Sequence, residues 1–205
     1  MARLYAFALF LAVVATESGA QDRQARPRPP EEVLNQYLEM INDGTLLTSQ
    51  GWKKAALLFE LPSPLPRQKL IYVTTSHRTV GKIQAQGNRV EVDENWVDPL
   101  GTIESSLRYR PPPKQAHEVE GTIFVYRLVL TNKHWEPAPD GGSPRESTGP
   151  QEWKIEGSMK LREVALDAAI RYVAMLRDKT TDPEVKRNAD ETLAVLKQRR
   201  VREQM

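Results

Sequence analysis

The chain has 205 residues, a hydrophobic fraction of 40%, 27% charged residues and a formal net charge of +2. This is the balance of one ordinary globular domain, too apolar for a wholly disordered chain and too nearly neutral to build the strong positive field that nucleic-acid binding calls for. The complete lack of cysteine excludes a disulfide framework, a thiolate nucleophile and cysteine-ligated zinc.

The first 20 residues have the form of a secretory signal peptide. Arg3 supplies the positive start, Leu4 to Ala15 is an unbroken apolar run, and Thr16-Glu17-Ser18-Gly19-Ala20 sets small residues before a cut after Ala20. A helix of that apolar run would reach about 18 Å, short of a bilayer core of about 30 Å, so it does not read as a membrane span. Export to a periplasm or the medium is therefore expected. The absence of disulfides points to a bacterial envelope rather than an animal secretory pathway. Residues 21–30, rich in Arg and Pro, then read as a flexible tether.

From Pro30, a proline followed by Glu31 and Glu32 suits a helix start, with carboxylates near the positive dipole end. Leu34, Tyr37, Leu38 and Ile41 form its apolar stripe, and Asn42-Asp43-Gly44 stops it. A second helix fits Gln50 to Glu60, with Trp52, Ala55, Ala56 and Phe59 on one side, ended by Pro62-Ser63-Pro64-Leu65-Pro66.

The period then changes to two. Strands are predicted over Leu70–Thr75, Val80–Ala85 and Arg89–Val97, the last two joined through Gln86-Gly87-Asn88. A turn at Asp98-Pro99-Leu100-Gly101 precedes an alternating strand over Ile103–Tyr109. Gly121–Thr131, apolar on both faces, reads as a central strand covered on both sides. Glu136–Pro150 reads as a long loop, and Trp153-Lys154-Ile155 as a short returning strand. Short connections between these strands predict a meander-like antiparallel sheet.

Two helices close the chain. One is predicted over Met159–Arg177. The next starts at Asp182 as cap and Pro183 as first helical residue, with Val185, Ala189, Leu193 and Leu196 buried. Helices, then sheet, then helices, without βαβ alternation, give the class α+β: N-terminal helices on a bent antiparallel sheet over residues 31–157, and a C-terminal helical pair over 158–205.

The Asn42-Asp43-Gly44 helix end, the Leu57-Leu58-Phe59 helix end, the curved sheet and the late Trp153-Lys154-Ile155 strand together resemble the nuclear-transport-factor-2-like (SnoaL-like) cone fold over residues 31–157. The resemblance implies a bent sheet wrapped around helices with an apolar pocket, a shape that serves isomerases, hydrolases, dehydratases and non-catalytic binders. The Pro62–Pro66 run, the Glu136–Pro150 segment and the terminal helices depart from the family pattern, and no family catalytic residue maps onto this chain.

Candidate sites follow from residue chemistry. His77, His117 and His134 are scattered without metal-binding spacing, so neither a metal nor a cofactor is expected. His77, beside Thr74, Thr75 and Ser76 at a strand end, and Asp98, at the end of the strand bearing Trp96, are a candidate proton-transfer pair. Read structurally, they are instead turn residues. Tyr72, Trp96, Tyr126 and Trp135 are candidates for gripping an apolar or sugar-like ligand, since flat rings bury area at low entropic cost. Trp52, Phe124 and Trp153 suit core packing. Lys197, Arg199, Arg200 and Arg202 suit the negative end of the last helix better than an anionic surface. The sequence thus favours an exported non-catalytic module holding a small apolar ligand or an envelope protein. The alternatives are a small cone-fold enzyme using His77 and Asp98, or an adaptor docking through its last helices.

Overall fold

The computed structural model describes residues 26–65, 70–75, 80–94, 99–112, 125–136 and 144–203. The proposed signal peptide, and with it His77, Trp96, Asp98, His117 and Phe124, lie outside them.

Helix α1 (Pro30–Asp43) has its proline at the first position and Glu31 and Glu32 in the first turn. Its predicted stripe of Leu34, Tyr37, Leu38 and Ile41 is buried. Gly44 ends it in the left-handed conformation, at φ 84°. A Cβ at Gly44 would lie 3.1 Å from the Ala168 Cβ, so the turn also brings two segments into close contact. A single 3-10 turn (Thr45–Leu47) leads to α2 (Ser49–Ala56), capped where Thr48 Oγ1 accepts from Gly51 N at 2.9 Å.

Helix α2 stops earlier than its sequence pattern predicts. Leu58 to Glu60 leave the helix to run beside the last long strand, where Ile155 N donates to Leu58 O and Glu60 N to Ile155 O, both at 2.8 Å. Two strand-type hydrogen bonds and the burial of Phe59 outweigh one further helical turn.

The strands form two four-stranded sheets rather than one meander. The first has the order β2-β3-β6-β7, from β2 (Val80–Gln86), β3 (Arg89–Glu94), β6 (Val125–Glu136) and β7 (Arg145–Ile155), all antiparallel. The second has the order β5-β4-β1-β8, from β1 (Ile71–Thr74), β4 (Pro99–Ile103), β5 (Tyr109–Arg110) and β8 (Arg162–Ala165), with β1 and β8 parallel. The β2–β3 connection is the expected tight turn, with Gly87 at φ 63°.

Four expectations are corrected. The alternating segment Ile103–Tyr109 is a hairpin: Glu104 N donates to Arg108 O, and Leu107, at φ 60°, turns its buried side chain into the core. The segment Met159–Arg177 is not one helix. Arg162–Ala165 pairs with the edge of β1, and α3 (Leu166–Lys179) starts only afterwards, because a strand partner overrides helix propensity. The predicted 136–150 loop is largely strand at its far end, where β7 begins at Arg145. The register jumps there from Thr131↔Glu152 to Lys133↔Thr148, so the ladder accommodates Pro150, which has no N–H to donate. Finally, β6 is interior in the sheet order but covered on one face only, since Leu128 is buried and Val125 is exposed.

The two sheets serve two cores. Helices α1 and α2 pack on the first sheet through Trp52, Leu34, Leu38, Val92, Leu128 and Ile155. The second sheet is covered by α3 and α4 (Pro183–Glu203), which bury Ile71, Val73, Ile103, Val164, Val173 and Leu196 together. Asp182 caps α4 as its sequence predicts, with Oδ1 accepting from Glu184 N at 2.9 Å and Val185 N at 3.2 Å. The chain is therefore α+β, with helices at both ends and the sheets between.

Candidate functional site

The first sheet's inner face is filled by the α1 and α2 side chains, so ligand space lies at its margins. Two concavities stand out. The larger, about 540 Å³, opens between α1 and the β6–β7 ends, over Tyr37, Phe59, Tyr126 and Met159. The Tyr37 ring meets Phe59 edge-on at 5.1 Å and Tyr126 at 6.1 Å, so these rings are spent on one another. Its mouth carries Arg127, Glu156, Lys160 and Glu163, charges of both signs.

The second is a groove of about 440 Å³ and is apolar almost throughout. Helix α2 contributes Trp52, Lys53 and Ala56. The segment after it contributes Leu57 and Pro62 to Leu65, and the β6–β7 hairpin contributes Trp135 and Pro144. Local chemistry holds this lining in place. Trp52 is fully buried as the floor, its Nε1 donating to Ser63 O at 2.9 Å. Trp135 Nε1 donates to Glu60 O at 2.7 Å. Ser63 Oγ accepts from Met159 N at 2.8 Å and donates to Leu61 O at 3.3 Å, so the proline-rich segment is pinned despite lacking regular structure. Both indole N–H groups are committed to backbone, which leaves the ring surface of the partly exposed Trp135 as what the tryptophans offer a ligand.

Behind the groove, Lys154 is buried, its Nζ donating to Leu57 O at 2.7 Å and pairing with Glu152 at 2.9 Å. The Lys154 hydrogen bond holds the Glu152 carboxyl below its usual range against the opposing effect of burial, and electrostatic contributions from Lys154, His134 and Arg28 add to it.

Of the sequence-predicted ligand residues, the three described ones do not share one concavity, and Trp96 lies outside the described residues. Trp135 lies in the groove and Tyr126 in the other concavity. Tyr72 is half-buried on β1, between Thr102 of β4 and Glu163 of β8. Sequence reasoning missed Lys53, Leu57, Pro64 and Leu65. The Pro62–Pro66 run signalled a helix stop, and its apolar spacing with Leu57 and Leu61 was the available clue to a surface. Of the basic C-terminal residues, Arg200 and Arg202 lie in the last turn of α4, while Arg199 lies 5.8 Å over the Tyr109 ring and Arg200 pairs with Asp167 at 2.9 Å.

Among the described residues, no cluster of three or more His, Asp or Glu side chains is placed to hold a metal, and no helix is long and apolar enough to cross a membrane. The chain matches no protein-family model, and no curated protein or solved structure is significantly similar to it.

Proposed function

We propose that the mature chain is an exported, non-catalytic binding module that holds a small apolar ligand in the groove between α2, the 57–65 segment and Trp135. The groove itself carries this reading. Its volume of about 440 Å³ falls within the range of small-molecule sites. The Trp135 ring and several aliphatic side chains face a space in which both indole N–H groups and the Ser63 hydroxyl are already satisfied.

Titration with the neutral fluorescent probe N-phenyl-1-naphthylamine tests it. Saturable one-to-one enhancement is expected, weakened about tenfold in Trp135→Ala and retained in Trp135→Phe, which keeps a ring in the groove. Enhancement that does not saturate, or is indifferent to Trp135→Ala, would overturn the reading.

Partner docking has one observation in its favour: Leu57, Leu61 and Leu65 around the same groove are 57%, 45% and 41% exposed. Native mass spectrometry of protein purified from its own host separates the two. A small added mass lost on denaturation supports a ligand, and a bound polypeptide supports docking.

A further inference from the structure

Resting on that groove reading, we infer that the ligand is an anionic amphiphile: a medium- or long-chain carboxylate with its chain along Trp135, Leu57 and Leu65 and its head met by Lys53. Most polar groups of the described lining are already committed. Trp52 Nε1, Trp135 Nε1 and the Ser63 hydroxyl all donate to backbone carbonyls of the groove wall. Among the described residues, Lys53 is therefore the one lining side chain with donors left over, and it is also the only charged one. Among the described residues it makes no ion pair, whereas Lys133 pairs with Glu146 and Lys154 with Glu152 on the neighbouring strands.

A cation in the last turn of a helix often serves the exposed carbonyls there. At this helix end that role is already filled, because Lys154 Nζ binds Leu57 O. An apolar cleft with one unpaired ammonium at its edge complements a molecule with an apolar body and one negative end. A carboxylate fits better than a phosphate, since a phosphate ordinarily collects several donors and the described lining offers one free side-chain cation.

Displacement of bound N-phenyl-1-naphthylamine from the full chain, at low ionic strength and neutral pH, tests the inference with decanoate, 1-decanol and decyltrimethylammonium. Decanoate is expected to displace the probe at about three- to fivefold lower concentration than decanol, the scale of one solvent-exposed charge pair, with the cation weakest. Lys53→Gln should abolish the decanoate advantage and leave decanol unchanged. Lys53 is exposed, so this substitution is expected to leave folding intact. Equal displacement by decanoate and decanol, or an advantage that survives Lys53→Gln, would overturn the anionic ligand and leave the groove reading standing. Failure of all three to displace the probe would overturn both.

Discussion

Trp135 Nε1 donates to the carbonyl oxygen of Glu60 at 2.7 Å, tying the far end of the β6–β7 hairpin to the segment just after α2. The two residues are 75 positions apart in the chain. The contact makes one wall of the groove and fixes how strongly the hairpin curls toward the helix. Removing the donor while keeping an aromatic ring isolates its contribution. Trp135→Phe is expected to lower stability in urea unfolding by about 1 kcal/mol, the usual net worth of one hydrogen bond. A change near zero would mean that ring packing alone holds the hairpin in place.

Gly44 reports on the junction between the two cores. Its φ of 84° disfavours any side chain, and a Cβ there would press on Ala168 at 3.1 Å. Gly44→Ala therefore combines backbone strain with a steric clash against α3. A loss of more than about 1 kcal/mol is expected, measured by thermal or chemical denaturation. Gly87→Ala makes a useful comparison, because Gly87 shares the positive φ but has open space around it. The difference between the two variants measures the clash alone.

Glu152 gives a pH dependence with a definite sign. Its carboxyl is held below the usual range, first by the Lys154 hydrogen bond. The folded state thus binds the proton less readily than the unfolded chain, and the ionised form is the stabilising one. This contribution is fully present above the ordinary glutamate pKa of about 4.3 and is lost as pH falls through the lowered native value. Glu152→Gln should flatten that part of an acid-denaturation curve and change little at neutral pH beyond the loss of one charge pair. Parallel curves for the two proteins below pH 5 would rule out the assignment.

Legibility from sequence followed how locally each element is determined. Helix α1 and helix α4 carry their own instructions: a proline start, a terminating glycine or capping aspartate, and a complete apolar stripe. The Gly87-Asn88 hairpin is equally local. What sequence did not reveal depends on distant partners. Arg162–Ala165 looks helical by composition and becomes a strand because β1 offers an edge some 90 residues away, the separation of the Thr74–Val164 contact. Arg145–Pro150 looks like a loop by its Gly and Pro content and becomes strand through pairing with β6. The groove was half legible: Trp135 stood out by its chemistry, whereas Lys53 and Pro64 acquire meaning only once α2 and the hairpin meet.

The terminal segment offers the sharpest test of how the molecule is built. Residues 159–203 supply Met159 to the first core and Val164, Leu166, Val173, Leu193 and Leu196 to the second. Thr192 adds a buried hydroxyl donating to Leu107 O at 2.7 Å, and Asn188 Nδ2 donates to Ser106 O at 3.3 Å, so α4 also holds the β4–β5 turn. Truncation before Met159 would expose Ile71, Val73 and Ile103 and leave β1 without its parallel neighbour. Loss of a cooperative unfolding transition is therefore expected, read by circular dichroism during urea titration. Thr192→Val is the milder probe: it keeps the shape of the side chain but leaves Leu107 O without its donor, at a cost of about 1 to 3 kcal/mol. If the truncated chain instead unfolds cooperatively and only an association with another protein is lost, the terminal helices are an appended docking surface and the second core is dispensable.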